Sequence, residues 1–68
     1  MRINRVKMVA LMAAHDMTIG KLAERSGISR ITISQIKSGK SCAHSTAVAI
    51  AAALNVPLEE IEVKPNAS

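Results

Sequence analysis

The side chains that could support catalysis or bind a metal ion are few, and their spacing does not suit either task. Cys42 and His44 are two positions apart, but no second pair stands at the spacing of a zinc site. His15 directly precedes Asp16, and neighbours along the chain do not have the geometry of a catalytic triad. A chain of 68 residues also leaves little room for a deep pocket. We therefore predict that the protein is not an enzyme and uses no cofactor and no metal ion.

The segment Ser38-Gly39-Lys40-Ser41 looks like the end of a phosphate-binding loop. Such a loop also needs a strand in front of it and a second glycine five residues before Gly39. The residue at that position is Ser34, and its surroundings have the spacing of a helix. The sequence therefore does not predict nucleotide binding at this segment.

The charge of the chain favours a polyanion as partner. The net charge is +4 and the isoelectric point is about 9.9, which indicates a nucleic-acid-binding protein or merely a soluble basic one. Residues 1–40 hold eight Lys and Arg against one Asp and one Glu, a net charge of +6, and residues 41–68 hold one Lys against three Glu, a net charge of −2. The chain has no Phe, Tyr or Trp, which argues against stacking of single-stranded bases on aromatic rings.

The cysteine content and the apolar runs bear on the compartment. A single cysteine forms no disulfide within one chain and fits a reducing cytosol. The apolar run over residues 8–14 ends without a good signal-peptidase site, and the run over residues 47–54 is far shorter than the roughly 20 residues that span a bilayer. We therefore predict a cytoplasmic protein that contacts no membrane.

The spacing of apolar residues predicts an all-α fold, a compact bundle of five short helices. Thr18 and Ser29 are good N-cap residues, and Gly27 and Gly39 are natural helix ends. The predicted helices cover residues 4–15, 19–26, 30–38, 44 or 45 to 54, and 58–61. We expect residues 1–63 to form one domain and residues 64–68 to be a flexible tail.

The central pair of predicted helices, within residues 18–39, has the features of two helices that cross over a tight turn. Ala23 is small enough for the next helix to pass close above it, and Gly27 supplies a left-handed turn. Four apolar side chains are expected to fill the wedge between the helices: Leu22, Ile28, Ile33 and Ile36.

With these features the sequence resembles the phage repressor and Cro-type helix-turn-helix family, which has a lambda-repressor-like DNA-binding domain. Residues 18–29 (TIGKLAERSGIS) resemble its second helix and turn, and residues 33–40 (ISQIKSGK) the end of its recognition helix. Residues 50–61 (IAAALNVPLEEI) are similar to its fourth and fifth helices, with Asn55 where glycine is usual. The resemblance implies that double-stranded DNA is the partner and that the third helix enters its major groove.

The outward face of the third helix suits this role. At about 100° per residue, Ile33 and Ile36 turn toward the core and leave an outward face without acidic residues. Arginine can donate two hydrogen bonds to guanine, glutamine can pair with adenine, and an exposed isoleucine can be covered by a thymine methyl group. The resemblance places base contacts at Ser29, Arg30, Ile31, Ser34 and Gln35, and phosphate contacts at Thr18, Ile19, Ser38 and Lys40.

In one respect the sequence departs from the family. Its members often pair an arginine late in the first helix with a glutamate after the recognition helix, and those positions here hold Met12 and Lys37. Lys37 is then free to contact a phosphate, and we include it among the phosphate-contacting residues. The alternative is that its stem lies over Met12.

These observations predict a sequence-specific, repressor-like regulator of transcription that binds a pseudo-palindromic operator as a homodimer, with no small-molecule effector. We expect the outward side of the fourth helix, at Val48, Ala49 and Ala52, or the neighbouring residues 56–61, to mediate self-association. A second function class stays open, a protein-interaction module such as an antitoxin or a regulator's partner that uses the same fold without reading bases. Arg30 and Gln35 on the third helix favour DNA.

Overall fold

The computed structural model describes residues 1–63, which fold into four α-helices and one 3₁₀ helix. The all-α architecture is confirmed, but the fifth predicted helix is only a single 3₁₀ turn. The predicted tail, residues 64–68, lies outside the described residues. The elements are α1 (Arg5–Ala14), α2 (Ile19–Ser26), α3 (Arg30–Lys37), α4 (His44–Ala53) and the 3₁₀ helix (Leu58–Glu60).

Local side-chain hydrogen bonds and one glycine set the bounds of the two central helices. Thr18 Oγ1 accepts a hydrogen bond from the Lys21 amide at 3.1 Å, and Ser29 Oγ accepts one from the Thr32 amide at 3.1 Å. Gly27 follows α2 with φ 75°, a conformation that glycine adopts without strain. Because these signals are local, α2 has the predicted bounds and α3 begins where it was predicted to begin. The end of α3 lies one residue earlier than predicted.

The hydrophobic core lies where the four helices meet. Within the described residues no polar or charged residue is buried, so burial of apolar surface is the main force that holds the helices together. Three methionines, Met8, Met12 and Met17, are buried in this core, and Ile28 is only partly buried at the edge of the wedge. The fully buried large side chains are Met8, Leu22, Ile33, Ile36, Ile50, Leu54 and Ile61.

The first and last described segments pair with each other, a contact that the sequence analysis did not predict. Ile3 and Glu62 form an isolated antiparallel bridge, and the Val63 amide donates a hydrogen bond to the Arg2 carbonyl oxygen at 3.0 Å. The Ile3 side chain is buried in the core. The backbone that carries Arg2 is therefore fixed to the body of the domain.

The segment after α4 explains why the fifth helix stays short. Asn55 follows α4 with φ 59°, in the left-handed region that asparagine tolerates. One 3₁₀ turn then brings Ile61 into the core, and Glu62 enters the bridge directly after it. A longer helix would carry these two residues away from their partners.

Candidate nucleic-acid interface

The tight turn between α2 and α3 fixes how α3 is presented. The Ile28 amide donates a hydrogen bond to Ser26 Oγ at 3.2 Å, which stabilises the turn after α2. Leu22 of α2 and Ile33 of α3 are both fully buried. One side of α3 is therefore anchored in the core, and its opposite side faces solvent.

The outward face of α3 is where helical spacing predicts it. Ile33 and Ile36 are fully buried, whereas Ile31 is 73% exposed. The polar residues at positions 30, 34 and 35 are exposed as well. An isoleucine that is so exposed in polar surroundings has apolar surface available for a ligand to cover.

A shallow concavity of ≈ 370 Å³ runs along this face of α3. It brings together four of the five predicted base-contacting residues and two of the predicted phosphate-contacting ones. None of its lining residues is acidic, so the surface combines two cations with neutral donors and acceptors. The lining residues are Arg30, Ile31, Ser34, Gln35, Ser38 and Lys40.

The hydroxyl groups near this concavity are partly occupied by bonds within the protein. Ser29 Oγ accepts from the Thr32 amide and donates to Thr32 Oγ1 at 2.9 Å, so it acts as the cap of α3, and Ser29 is not among the residues that line the concavity. Ser38 Oγ donates to the Ser34 carbonyl oxygen at 3.1 Å. Both hydroxyls keep a lone pair for a further donor.

The Arg30 side chain crosses from α3 to the first turn of α2. A Cβ atom built on Gly20 would lie 2.9 Å from Nη2 of Arg30 and 3.2 Å from its Cζ, so the guanidinium rests against the glycine. The N-terminal turn of α2, which begins after Thr18, therefore borders the same surface as the outward face of α3.

Gly20 is a residue whose contribution the sequence analysis missed. Its position in the first turn of α2 marks it as a glycine of low helical cost, and nothing in the spacing shows that an arginine ten positions later packs against it. One signal for this contact was available in the sequence. A glycine at the second position of α2 leaves space for a side chain of the helix that packs against it.

Lys37 does not lie with Ser38 and Lys40, the two other phosphate-contacting residues predicted near the end of α3. It is exposed and lines a separate groove with Arg5, Val6 and Val9 of α1. The departure from the family's ion pair thus leaves a cation between α3 and α1, outside the concavity of the outward face.

Two ion pairs occur within residues 1–63, and both lie away from the outward face of α3. Lys7 Nζ lies 3.6 Å from Glu60 Oε2, and Lys21 Nζ lies 4.0 Å from Glu24 Oε1. Neither involves Arg30. In the described part of the chain no carboxylate competes with an external anion for this guanidinium.

Other kinds of site find no support in the described part of the chain. Across residues 1–63, no group of three or more His, Cys, Asp or Glu side chains is arranged to hold a metal ion, and none of the helices has the length and apolarity to cross a bilayer. Burial raises the pKa of the Cys42 thiol, which keeps it protonated and weakly nucleophilic at neutral pH.

Comparison with known families gives one match. A family model described as the Cro/C1-type HTH DNA-binding domain matches residues 7–64. Searches of curated proteins and of solved structures find no significant match. The matched range includes α2, α3, the turn between them and all residues that line the outward concavity.

Proposed function

Because the chain belongs to the Cro/C1-type helix-turn-helix DNA-binding family, we propose that it is a sequence-specific, repressor-like regulator of transcription. In this proposal α3 enters the major groove of double-stranded DNA. The observation that carries the proposal is the concavity along α3, whose exposed lining combines two cations, an amide and two hydroxyls without any carboxylate. A base-reading surface needs this combination of donors, acceptors and positive charge.

Base reading depends mainly on three side chains of α3. Arg30 donates two hydrogen bonds to O6 and N7 of a guanine, and Gln35 pairs with N6 and N7 of an adenine, each worth roughly 1–3 kcal/mol of discrimination. Ile31 covers a thymine methyl group, which would account for its exposure in the free protein. Ser29 and Ser34, whose side chains are shorter, contact the edges of neighbouring bases.

Phosphate binding involves both ends of the motif. At the start of α2 the Lys21 amide is taken by Thr18, which leaves the amides of Ile19 and Gly20 to meet a phosphate at the positive end of the helix. After α3, Ser38 and Lys40 take phosphates on the other side of the groove, and Lys37 extends the positive charge toward α1.

Self-association through α4 completes the proposal. Val48 is 44% exposed and Ala52 is exposed on the same helix whose other side is buried in the core. Ile61 of the alternative segment, residues 56–61, is fully buried in the domain itself, which favours the α4 face as the contact between two copies. A dimer formed in this way would read two half-sites of a pseudo-palindromic operator.

Selection of bound duplexes from a random pool, repeated at several salt concentrations, tests this function. We expect an enriched consensus with two inverted half-sites separated by about one helical turn or a multiple of it. Binding should weaken steeply with salt because phosphate contacts release counterions. Absence of any enriched sequence at every salt concentration would contradict base reading and favour the protein-interaction class.

A further inference from the structure

A second concavity lies where the beginning of α1 meets the end of α3. It measures ≈ 490 Å³, and Arg2, Asn4 and Arg5 from the start of the chain line it together with Ser38 and Gly39. None of its lining residues is acidic. It is therefore a positively charged hollow directly beside the predicted recognition helix.

The Arg5 guanidinium lies close to Gly39, two residues after the end of α3. Gly39 has φ 102°, and a Cβ atom built there would lie 3.7 Å from Nη1 of Arg5. A side chain at this position would be strained by the backbone conformation and would contact the guanidinium. The Arg5 guanidinium therefore lies within van der Waals distance of the turn that follows α3.

The two concavities share one lining residue. Ser38 lines both the hollow beside α1 and the concavity along the outward face of α3. A nucleic-acid backbone that passes Ser38 and Lys40 is therefore led toward Arg5.

The backbone at Arg2 is also anchored. Its carbonyl oxygen accepts the Val63 amide at 3.0 Å, and the neighbouring Ile3 is buried. Because the backbone on both sides is anchored, the arginine is presented by the domain itself.

The charge of this hollow is unbalanced in the free protein. The two ion pairs within residues 1–63 include neither Arg2 nor Arg5, whereas Lys7 pairs with Glu60 at 3.6 Å. A cation beside the negative end of α3 stabilises that helix, which accounts for Arg5. It does not account for a second arginine in the lining of the same hollow, whose positive charge an anion would neutralise.

We propose that Arg2 and Arg5 form an additional phosphate-binding site, which takes a backbone phosphodiester of the same duplex that α3 reads. This inference rests on the proposed function and extends it, because it assigns a DNA contact to residues outside the helix-turn-helix. Arginine suits the task because its planar fork binds two phosphate oxygens at once.

Three variants that each remove one positive charge test the site: Arg2→Gln, Arg5→Gln and the control Lys7→Gln. Lys7 lies on the same helix as Arg5 but is paired with Glu60, so it controls for net charge. Dissociation constants are measured on the selected duplex and on a scrambled duplex across a range of salt concentrations. Circular dichroism verifies that every variant is folded.

We expect each arginine variant to weaken binding to both duplexes by the same factor, about tenfold at 0.1 M salt, and to lower the slope of log K against log [salt] by about 0.9. Lys7→Gln should leave both quantities near those of the unchanged protein. Arginine variants that match the lysine control would overturn the site while the proposed function stands. A loss confined to the selected duplex would make the arginines base readers and would also overturn it. If the unchanged protein binds neither duplex, the proposed function itself fails, and the site with it.

Discussion

The position of the Arg30 guanidinium depends on a side chain that is absent from its neighbour. Gly20 leaves space at the first turn of α2, and the guanidinium occupies that space while it also lines the concavity on α3. A base-reading arginine must be held near its productive position before DNA arrives, because each freely rotating bond lowers affinity. Gly20 makes room for the guanidinium in this position.

Gly20→Ala should separate stability from recognition. Alanine is the better helix former, but the cost of glycine is small in a first turn. We therefore expect the free energy of unfolding to rise by less than about 1 kcal/mol, since only the flexible end of Arg30 must move. The displaced guanidinium should discriminate less well at its guanine. Urea unfolding and dissociation constants on matched and mismatched duplexes measure the two effects.

The double variant with Arg30→Ala is the control for this coupling. The three heavy atoms nearest to a methyl group at position 20 all belong to the Arg30 guanidinium, so in the Arg30→Ala background Gly20→Ala should leave DNA binding unchanged. Equal effects of the substitution in both backgrounds would show that Gly20 acts on DNA binding independently of Arg30.

The roles of Arg30 and Lys40 can be distinguished by comparing specificity with overall affinity. Arg30→Ala should reduce the preference for the operator by roughly 1–3 kcal/mol, because a base contact is lost. Lys40→Ala should weaken binding to all duplexes alike and lower the salt slope by about one, because a phosphate contact is lost. Titrations on operator and random DNA measure both. Parallel losses for the two variants would argue against these assignments.

At the scale of the helices, α3 offers two isoleucines of opposite exposure. Ile33→Ala should lower the free energy of unfolding by roughly 2–5 kcal/mol, because it opens a cavity in a fully buried position. So large a loss should unfold a domain of this size. Thermal and urea denaturation measure it.

Ile31→Ala is the matched control, the same substitution on the same helix at a residue that is 73% exposed. Its free energy of unfolding should change little, while affinity for a site with thymine at the contacted position should fall. Comparable destabilisation by the two substitutions would mean that α3 does not present the face described for it.

Local chemistry explains which helices could be predicted from the sequence. Thr18, Gly27 and Ser29 act on backbone groups within four residues of themselves, so the bounds of α2 and the start of α3 follow from the sequence. The extent of the fifth helix could not be predicted in this way. It depends on the pairing of Glu62 with Ile3, a contact between opposite ends of the described chain.

The candidate site was predictable to a similar degree. Helical spacing predicts the exposed face of α3, whereas the approach of Arg5 to Gly39 depends on how α1 packs against the end of α3. Sequence reasoning recognised the charge of Arg2 and Arg5 but had no means to locate it. Whether such a charge belongs to a site depends on how the helices pack together. The spacing of residues along one helix does not encode that packing.

At the scale of the whole molecule, one surface substitution should abolish the proposed dimer. Val48→Asp would place a charge on the exposed side of α4, and a desolvated charge in an interface is costly. We expect the variant to be monomeric in sedimentation experiments at tens of micromolar, with weaker binding to the two-half-site operator.

Val9→Asp is the corresponding control, because it introduces the same charge at an exposed valine of α1. It should leave the molar mass unchanged relative to the unmodified protein. A monomeric mass for the unmodified protein at all concentrations, without dependence on dilution, would remove α4 as an interface.

The bridge between Ile3 and Glu62 also has a consequence for the order of folding. Its partners are separated by almost the whole described chain, and closing so long a loop costs more entropy than forming the local turns of α2 and α3. We expect the helices to assemble first and the bridge to close late, so the Val63 amide should exchange its hydrogen faster than amides inside α4. Arg2 would then reach its place beside α3 only as folding finishes.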